Sequence, residues 1–236
     1  MATIRGRIQR LRRSSLTPWL ILALIVGGTA GWQIRRSPSP DWGRTSEVVR
    51  QTRGELSTRV VHFVSPRQLL ASNTMTDRNL ADLEAKGHDG GQRGWTELSA
   101  GQAVVFVFVK VGCPCNVEFE PFFRRVEQLY RGSVRFAAVI DGTVEEAFEY
   151  ADEMKVPYPV LADPECTLIR RFGVENGGYV VLLTRDGTVN GFWPGCSADG
   201  LRDLGRRIAR LVMIEERPLD ISGMPGPLIT GCPFAL

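Results

Sequence analysis

The sequence is poor in histidine, in cysteine and in any excess of one charge, and each shortage excludes a class of function. Its 236 residues include two histidines, His62 and His88, so an imidazole-built metal or acid–base site is not expected. Five cysteines are too few for a disulfide scaffold in a chain of this length. The net charge of +3 is too small to indicate a nucleic-acid-binding protein. No glycine-rich phosphate loop follows a strand, so no cofactor is predicted, and no spacing of cysteines and histidines supports a metal site.

One long apolar run lies near the N-terminus. Residues 14–34 contain no charged side chain, and as a helix they would rise about 31 Å, close to the thickness of a bilayer's hydrocarbon core. Residues 1–13, which precede the run, form a basic tail with five arginines and no acid. Trp19 and Trp32 bracket the run, where amphipathic rings favour the headgroup region. The sequence therefore predicts a single-pass membrane helix that contacts the lipid bilayer and remains uncleaved, because residues 29–31 make a poor signal-peptidase site.

The orientation of this helix rests on a small difference in charge. Five arginines precede it and five follow it within about 20 residues, so the count of positive charges that the positive-inside rule uses is equal on the two sides. The adjacent Arg12 and Arg13 and the α-amino group favour a cytoplasmic N-terminus. We therefore expect the globular part on the extracytoplasmic, periplasmic side.

The rest of the chain divides into three parts. Residues 35–96 are predicted to be a tether and N-terminal extension, in which a short strand over 60–64 and a helix over 66–86 are expected. Residues 97–214 form a regular α/β pattern. Residues 215–236 are a Pro/Gly-rich tail that contains Cys232 and ends apolar, so it docks either on a partner or on its own domain.

The pattern of residues 97–214 predicts a β-α-β-α order, a short insertion and then β-β-α. Residues 103–109 are an unbroken β-branched and aromatic run, typical of a strand buried on both faces. The following helix has apolar residues every three or four positions from Phe119 to Tyr130. Further on, an Asp-Gly turn at 186–187 joins two strands in a hairpin. Between the first strand and the first helix lies the segment Lys-Val-Gly-Cys-Pro-Cys-Asn, residues 110–116.

This segment resembles the active-site region of the thioredoxin superfamily, and most closely its membrane-anchored, alkyl-hydroperoxide-reductase-like (AhpC/TSA) redoxin branch. Those proteins have a strand, a Cys-Pro-x-Cys motif and then a helix with a proline eight residues after the first cysteine; Cys113 and Pro121 have that separation. The resemblance covers residues 97–214. It implies a thioredoxin-like fold, a central mixed sheet flanked by helices, and thiol–disulfide oxidoreductase activity toward a protein thiol or disulfide partner.

Three positions depart from the family pattern. Asn116 occupies the usual resolving position, and the second cysteine has moved to Cys115. The cis-proline that faces the cysteines in thioredoxins is replaced, by register, with Gly178. Lys110 stands where peroxiredoxins carry a threonine or serine, so peroxidase activity is disfavoured.

The chemistry expected of the motif follows from its place at a helix start. A helix N-terminus stabilises a thiolate, so Cys113 is the candidate nucleophile, and Lys110 would add positive charge if its side chain turned toward the site. Cys115 is the candidate resolving cysteine through a strained i,i+2 disulfide, and Cys196, which follows the last strand of the hairpin, is a possible second one. Cys166 is expected to be a core residue of a helix.

Two functions remain open from sequence. The first is a membrane-anchored thiol–disulfide oxidoreductase in which Cys113 and Cys115 are catalytic. The second is a non-catalytic thioredoxin-like accessory or structural subunit of a membrane protein complex, favoured by the displaced second cysteine, by the missing proline and by the two apolar extensions. In the second case the partners are the other subunits of that complex.

Overall fold

The computed structural model describes residues 61–236. The predicted basic tail (1–13), the predicted membrane helix (14–34) and the first part of the tether lie outside these residues. Within residues 61–236, no helix combines the length and the apolar character needed to cross a bilayer. The membrane anchor therefore stays a prediction.

A mixed seven-stranded sheet forms the centre of the described chain. Two further strands, β1 and β9, form a separate pair. In chain order the strands of the described residues are β1 (His62–Phe63), β2 (Glu84–Gly87), β3 (Gln92–Gly94), β4 (Ala103–Val109), β5 (Val134–Ile140), β6 (Val160–Ala162), β7 (Val180–Leu183), β8 (Val189–Trp193) and β9 (Ile229–Thr230). The seven-stranded sheet has the order β3-β2-β6-β5-β4-β7-β8, with β4, β5 and β6 mutually parallel. The hairpin strands β7 and β8 are antiparallel, and β7 pairs antiparallel with β4. This is the strand and hairpin order that the sequence predicts for residues 97–214.

Helices cover both faces of the sheet. They are α1 (Pro66–Asn73), α2 (Trp95–Ser99), α3 (Pro114–Tyr130), α4 (Val144–Glu153), α5 (Thr167–Arg171) and α6 (Ala198–Leu211). Along β4, Val105 and Val107 pack in the cluster that α3, α4 and α6 cover, whereas Val104 and Phe106 point to the opposite cluster, which includes α5. Alternation along an extended strand sends successive side chains to opposite faces, so the predicted doubly buried strand is confirmed.

The helix starts follow local capping rules. Thr143 and Glu146 form a capping box at the start of α4, each bonding the other's backbone N–H. Ser197 caps α6, accepting from the N–H of Gly200 at 3.1 Å. Ser65 caps α1 and forms a capping box with Gln68.

The predicted helix over 66–86 is wrong in its second half. Helix α1 ends at Asn73, and the chain then runs along the edge of β8, where the N–H of Val189 donates to Arg78 O at 2.8 Å. Residues 84–87 form β2, which pairs with β6 and with β3 at residues 92–94. Pairing with neighbouring strands supplies the backbone hydrogen bonds here, and a local hydrophobic pattern does not reveal it.

The C-terminal tail docks on its own domain. Its strand β9 pairs antiparallel with β1, so that His62 lies opposite Thr230. The backbones of Ile229 and Cys196 exchange two hydrogen bonds, of 2.7 and 3.2 Å. Phe234 is buried in the core on the sheet face opposite α3. Of the two docking alternatives left open by the sequence, this structure shows the intramolecular one.

Candidate redox site

Cys113 lies at the predicted junction of strand and helix. Beyond the end of β4, the N–H of Cys113 donates to Lys110 O at 3.1 Å and closes a tight turn. Gly112 in this turn has φ +71°, a conformation that glycine adopts without strain. Cys113 is the N-cap residue of α3, and Pro114 is the first helical residue, where its missing N–H leaves no bond unmade.

A partly buried ion pair holds the turn in place. Asp141, which follows β5, accepts from the ammonium of Lys110 at 2.6 Å and from the N–H of Val111 at 2.7 Å. The Lys110 charge is therefore paired with Asp141, although it still lies close enough to Cys232 to lower the pKa of that thiol. Asn116, in the family's resolving position, donates to Lys110 O at 2.5 Å and is buried. Its role in this structure is to brace the turn.

The sulfur of Cys113 is enclosed by hydrogen-bond donors. Only 1% of the residue is exposed. The thiol of Cys115 hydrogen-bonds this sulfur, and so does the thiol of Cys232. The backbone N–H of Cys232 also donates to it, at 3.2 Å. Two separate parts of the chain, the start of α3 and the C-terminal tail, thus converge on one sulfur atom.

These donors make Cys113 acidic. The hydrogen bond from the Cys115 thiol is the largest cause, burial opposes it, and the Cys232 amide and thiol add to it, so that the pKa of Cys113 falls from 9.0 to about 5. The helix-start amide of Cys115 makes the smallest contribution. The predicted acidic cysteine is therefore present, but thiol and tail donors outweigh the helix N-terminus that the sequence suggested as the cause.

The remaining cysteines differ sharply from Cys113. Cys196 is as buried as Cys113, but it lacks comparable donors, so burial raises its pKa far above the ordinary value and its thiol is a poor nucleophile in this conformation. Its resolving role stays a prediction. Cys166 precedes α5 as its N-cap residue and lies on the opposite face of the sheet from Cys113. It is buried, as expected, but outside the body of the helix.

The loop at the predicted cis-proline position is bonded to the tail. Gly178 has φ +81°, and a Cβ there would lie 2.7 Å from the ring of Phe119. The neighbouring Gly177 accepts from the N–H of Gly231 at 2.6 Å and donates to Cys232 O at 3.0 Å. The backbone that thioredoxins are expected to offer to a substrate is thus engaged by this chain's own residues.

Sequence reasoning missed the contact of Cys232 with Cys113. One signal for it is present in the sequence: the tripeptide Gly-Cys-Pro occurs twice, at 112–114 and at 231–233. Two copies of a turn-forming, cysteine-bearing tripeptide do not by themselves predict a contact across 119 positions. Only the pairing of the tail with residues 176–177 brings the two sulfurs together.

Glu120 is a second residue whose environment the sequence does not reveal. It lies on the amphipathic helix α3, where a glutamate normally faces water, but it is 1% exposed. The hydroxyls of Tyr150 and Tyr158 donate to it at 3.2 and 2.9 Å, and Arg124 lies 4.0 Å away. Burial is the main cause that raises the pKa of Glu120 to about 7. The interface of α3 and α4 thus contains a carboxyl group that titrates near neutrality.

Replacing Cys115 with alanine is expected to slow alkylation of Cys113 about tenfold at pH 6, because loss of the main thiol donor raises the pKa of Cys113 and reduces its thiolate fraction. At pH 9 the two proteins are expected to react at similar rates, since the thiolate then predominates in both. The measurement is the rate of iodoacetamide labelling, read by mass spectrometry. Cys166→Ala, on the other sheet face, serves as the control, and an unchanged rate at pH 6 would contradict the assignment of Cys115 as donor.

Comparison with known proteins gives a family match and a common fold. Residues 76–190 match the AhpC/TSA family. No curated protein matches the chain. Among solved structures, a hypothetical protein from Sinorhizobium meliloti 1021 is 16% identical, with a TM-score of 0.54 over 67% of this chain and 92% of that one.

Two further structures carry descriptions of thiol chemistry. A putative protein disulfide isomerase from Bacteroides thetaiotaomicron is 17% identical, with a TM-score of 0.53 over 58% of this chain and 90% of that one. A putative thiol:disulfide interchange protein DsbE from Chlorobium tepidum is 19% identical, with a TM-score of 0.52 over 58% of this chain and 97% of that one. At these identities the likeness shows the fold, which is the predicted thioredoxin-like one.

Proposed function

Because the chain belongs to the redoxin family of the thioredoxin superfamily, we propose that it is a membrane-anchored thiol–disulfide oxidoreductase whose nucleophile is Cys113. The observation that carries the proposal is the convergence of hydrogen-bond donors on the Cys113 sulfur, the thiols and backbone amides of Cys115 and Cys232, which stabilises its thiolate. Thiolates, not thiols, attack disulfides. A cysteine that served only as a core filler would need no such set of donors.

In the first step the Cys113 thiolate attacks one sulfur of a partner disulfide. A Cys113–substrate disulfide forms, the partner's S–S bond breaks and the second partner sulfur leaves as a thiolate. The low pKa of Cys113 also makes it a good leaving group in the reverse direction, because a stable thiolate leaves readily.

In the second step a second thiol of the site attacks the Cys113 sulfur and releases the substrate. Cys115 is the candidate within the Cys-Pro-Cys motif, and its thiol already contacts the Cys113 sulfur. The enzyme is then oxidised, and a dithiol donor returns it to the reduced form. The net result is transfer of two electrons from that donor to the partner disulfide.

The membrane part of the proposal rests on the sequence. An uncharged run over residues 14–34, flanked by arginines, supports an anchor in the bilayer, and the charge distribution favours a globular domain on the periplasmic side. An oxidising compartment also provides protein disulfides as substrates. Fractionation of cells with protease protection of the globular domain tests both statements.

Trapping of the mixed disulfide tests the chemistry. The full chain, reduced and freed of reductant, is mixed with oxidised glutathione at pH 6, quenched with acid within seconds and digested for mass spectrometry. We expect glutathione on the peptide that contains Cys113 and none on the Cys166 peptide, because Cys113 is the acidic thiol. Absence of both glutathione and any new disulfide from the Cys113 peptide, with the protein folded, would overturn the proposed function.

A further inference from the structure

The C-terminal tail is held over Cys113 by a continuous set of hydrogen bonds. Beside the two backbone bonds with Gly177, the side-chain amide of Asn176 donates to Gly231 O at 2.9 Å, and the N–H of Phe234 donates to Glu175 O at 2.9 Å. The hydroxyl of Thr230 donates to Gly177 O at 3.0 Å. The tail therefore runs as an extended segment along residues 175–177, with Cys232 facing the reactive sulfur.

Close packing of glycines permits this approach. A Cβ on Gly231 would lie 2.8 Å from Gly177 O, which is nearer than real Cβ contacts come. A Cβ on Gly195 would lie 2.3 Å from Ile229 O. Glycine at both positions lets one backbone pass directly against another. The contact between the tail and the site is therefore specific to these residues.

We propose that Cys232 is a redox partner of Cys113, and that the tail closes the catalytic cycle by forming a reversible Cys113–Cys232 disulfide. This inference rests on the proposed function, since the mixed disulfide at Cys113 supplies the oxidising equivalents. The Cys232 sulfur attacks Cys113 Sγ, the bond between Cys113 and the substrate breaks, and the substrate sulfur leaves with the proton given up by Cys232. The two cysteines lose two electrons, and the substrate disulfide becomes two thiols.

Geometry favours Cys232 over Cys115 for this step. The Cys115 thiol also contacts the Cys113 sulfur, but a disulfide between residues two positions apart closes a small, strained ring and would distort the first turn of α3. Cys232 instead approaches from a separate extended segment, and its N–H and its thiol already contact the Cys113 sulfur. A bond between them requires small movements of a short tail.

The pKa of the Cys232 thiol is expected to fall once Cys113 has reacted with substrate. In the reduced site, burial is the largest cause that raises the pKa of Cys232. The hydrogen bond to Cys113 and the negative charge of Cys113 are the next two causes. Once Cys113 is in a mixed disulfide, its negative charge is gone and both of these causes are removed. Lys110, which lowers the pKa of Cys232, remains. The resolving thiolate therefore becomes easier to form after substrate has reacted.

The test maps disulfides in the full chain after treatment with oxidised glutathione, for the wild type, Cys115→Ser, Cys232→Ser and the control Cys166→Ser. Cys113 and Cys115 fall in one proteolytic peptide, so a bond between them appears as a loss of two hydrogens, whereas a bond to Cys232 appears as a cross-link. We expect the cross-link in the wild type, in Cys115→Ser and in Cys166→Ser. In Cys232→Ser, we expect glutathione to remain on Cys113 at least about ten times longer.

A thermal measurement separates the two disulfides independently. A Cys113–Cys232 bond closes a loop across 119 positions, so the Tm of the oxidised wild type is expected to exceed that of the reduced protein by roughly 10 °C. Cys232→Ser is expected to lose this difference. A Cys113–Cys115 bond closes a loop of three residues and would leave the Tm nearly unchanged.

Gly231→Ala and Gly226→Ala form a matched pair in the same tail. The added Cβ at 231 meets the backbone of Gly177, whereas nothing lies within 4 Å of a Cβ at 226. We expect Gly231→Ala to reduce the yield of the cross-link several-fold and Gly226→Ala to preserve it.

An internal Cys113–Cys115 bond in the wild type, with normal release of glutathione in Cys232→Ser, would overturn the role of Cys232 and leave the proposed function intact. No glutathione on Cys113 in any variant would overturn both.

Discussion

Cys113→Ser is expected to reduce the rate of thiol–disulfide exchange by at least about 10³-fold, to the level of uncatalysed exchange. Serine matches cysteine closely in size, but its hydroxyl stays protonated at any pH used for the assay, so no anionic nucleophile is available. The donors from Cys115 and Cys232 still hydrogen-bond the serine oxygen, so the buried site remains satisfied. The measurement is turnover of a fluorescent disulfide substrate in the presence of a dithiol reductant.

Cys166→Ser is the matched control for this experiment. Cys166 is a buried cysteine of the same domain, but it packs in the other core cluster, so its replacement tests the effect of losing a thiol without touching the site. We expect nearly wild-type turnover. If Cys113→Ser were equally active while folded, the chemistry proposed for Cys113 would be wrong, and the accessory-subunit function would be favoured.

Glu120→Gln is expected to remove a pH dependence of stability worth about 3 kcal/mol between pH 4.5 and pH 8. The pKa of Glu120 is raised from 4.5 in the unfolded chain to about 7 in the folded protein, so the folded state holds this proton more tightly. Its contribution to stability is fully present below pH 4.5 and is lost as the pH rises through 7. Glutamine cannot ionise and still accepts from Tyr150 and Tyr158.

The measurement is the free energy of unfolding by urea at several pH values, under reducing conditions. The wild type is expected to lose stability from pH 5 to pH 8, and Glu120→Gln is expected to lose much less and to be the more stable protein at pH 8. Glu127→Gln is the control on the same helix, since Glu127 is paired with Arg131 at 2.7 Å near the surface. Parallel curves for wild type and Glu120→Gln would show that the carboxyl group is ionised throughout.

The central fold was predictable because its signals are local. The unbroken apolar run of β4, the three-and-four spacing along α3 and the Asp-Gly turn each specify one element without reference to the rest of the chain. The stretch from 74 to 94 was not predictable in this way. Its residues acquire structure by pairing with β6 and β8, whose bonded residues lie 72 to 112 positions away in sequence.

The position of the candidate site was predictable from local signals, whereas the causes of its chemistry were not. The position of Cys113 between strand and helix follows from the Cys-Pro-Cys segment and the patterns on either side of it. The causes of its acidity do not, since one donor comes from a tail that has neither helical nor strand periodicity. Glu120 was equally hidden, because a glutamate on an amphipathic helix normally faces water, and only the placement of Tyr150 and Tyr158 shows that this one does not.

The pairing of β1 with β9 links the redox site to the chain that precedes it. His62 and Phe63 hydrogen-bond the segment that continues directly into Gly231 and Cys232, so a pull on the chain before residue 62 loads the bonds that hold the tail. Loss of this two-residue pairing would loosen the segment that covers Cys113, so access to the sulfur depends on contacts made far from it in sequence.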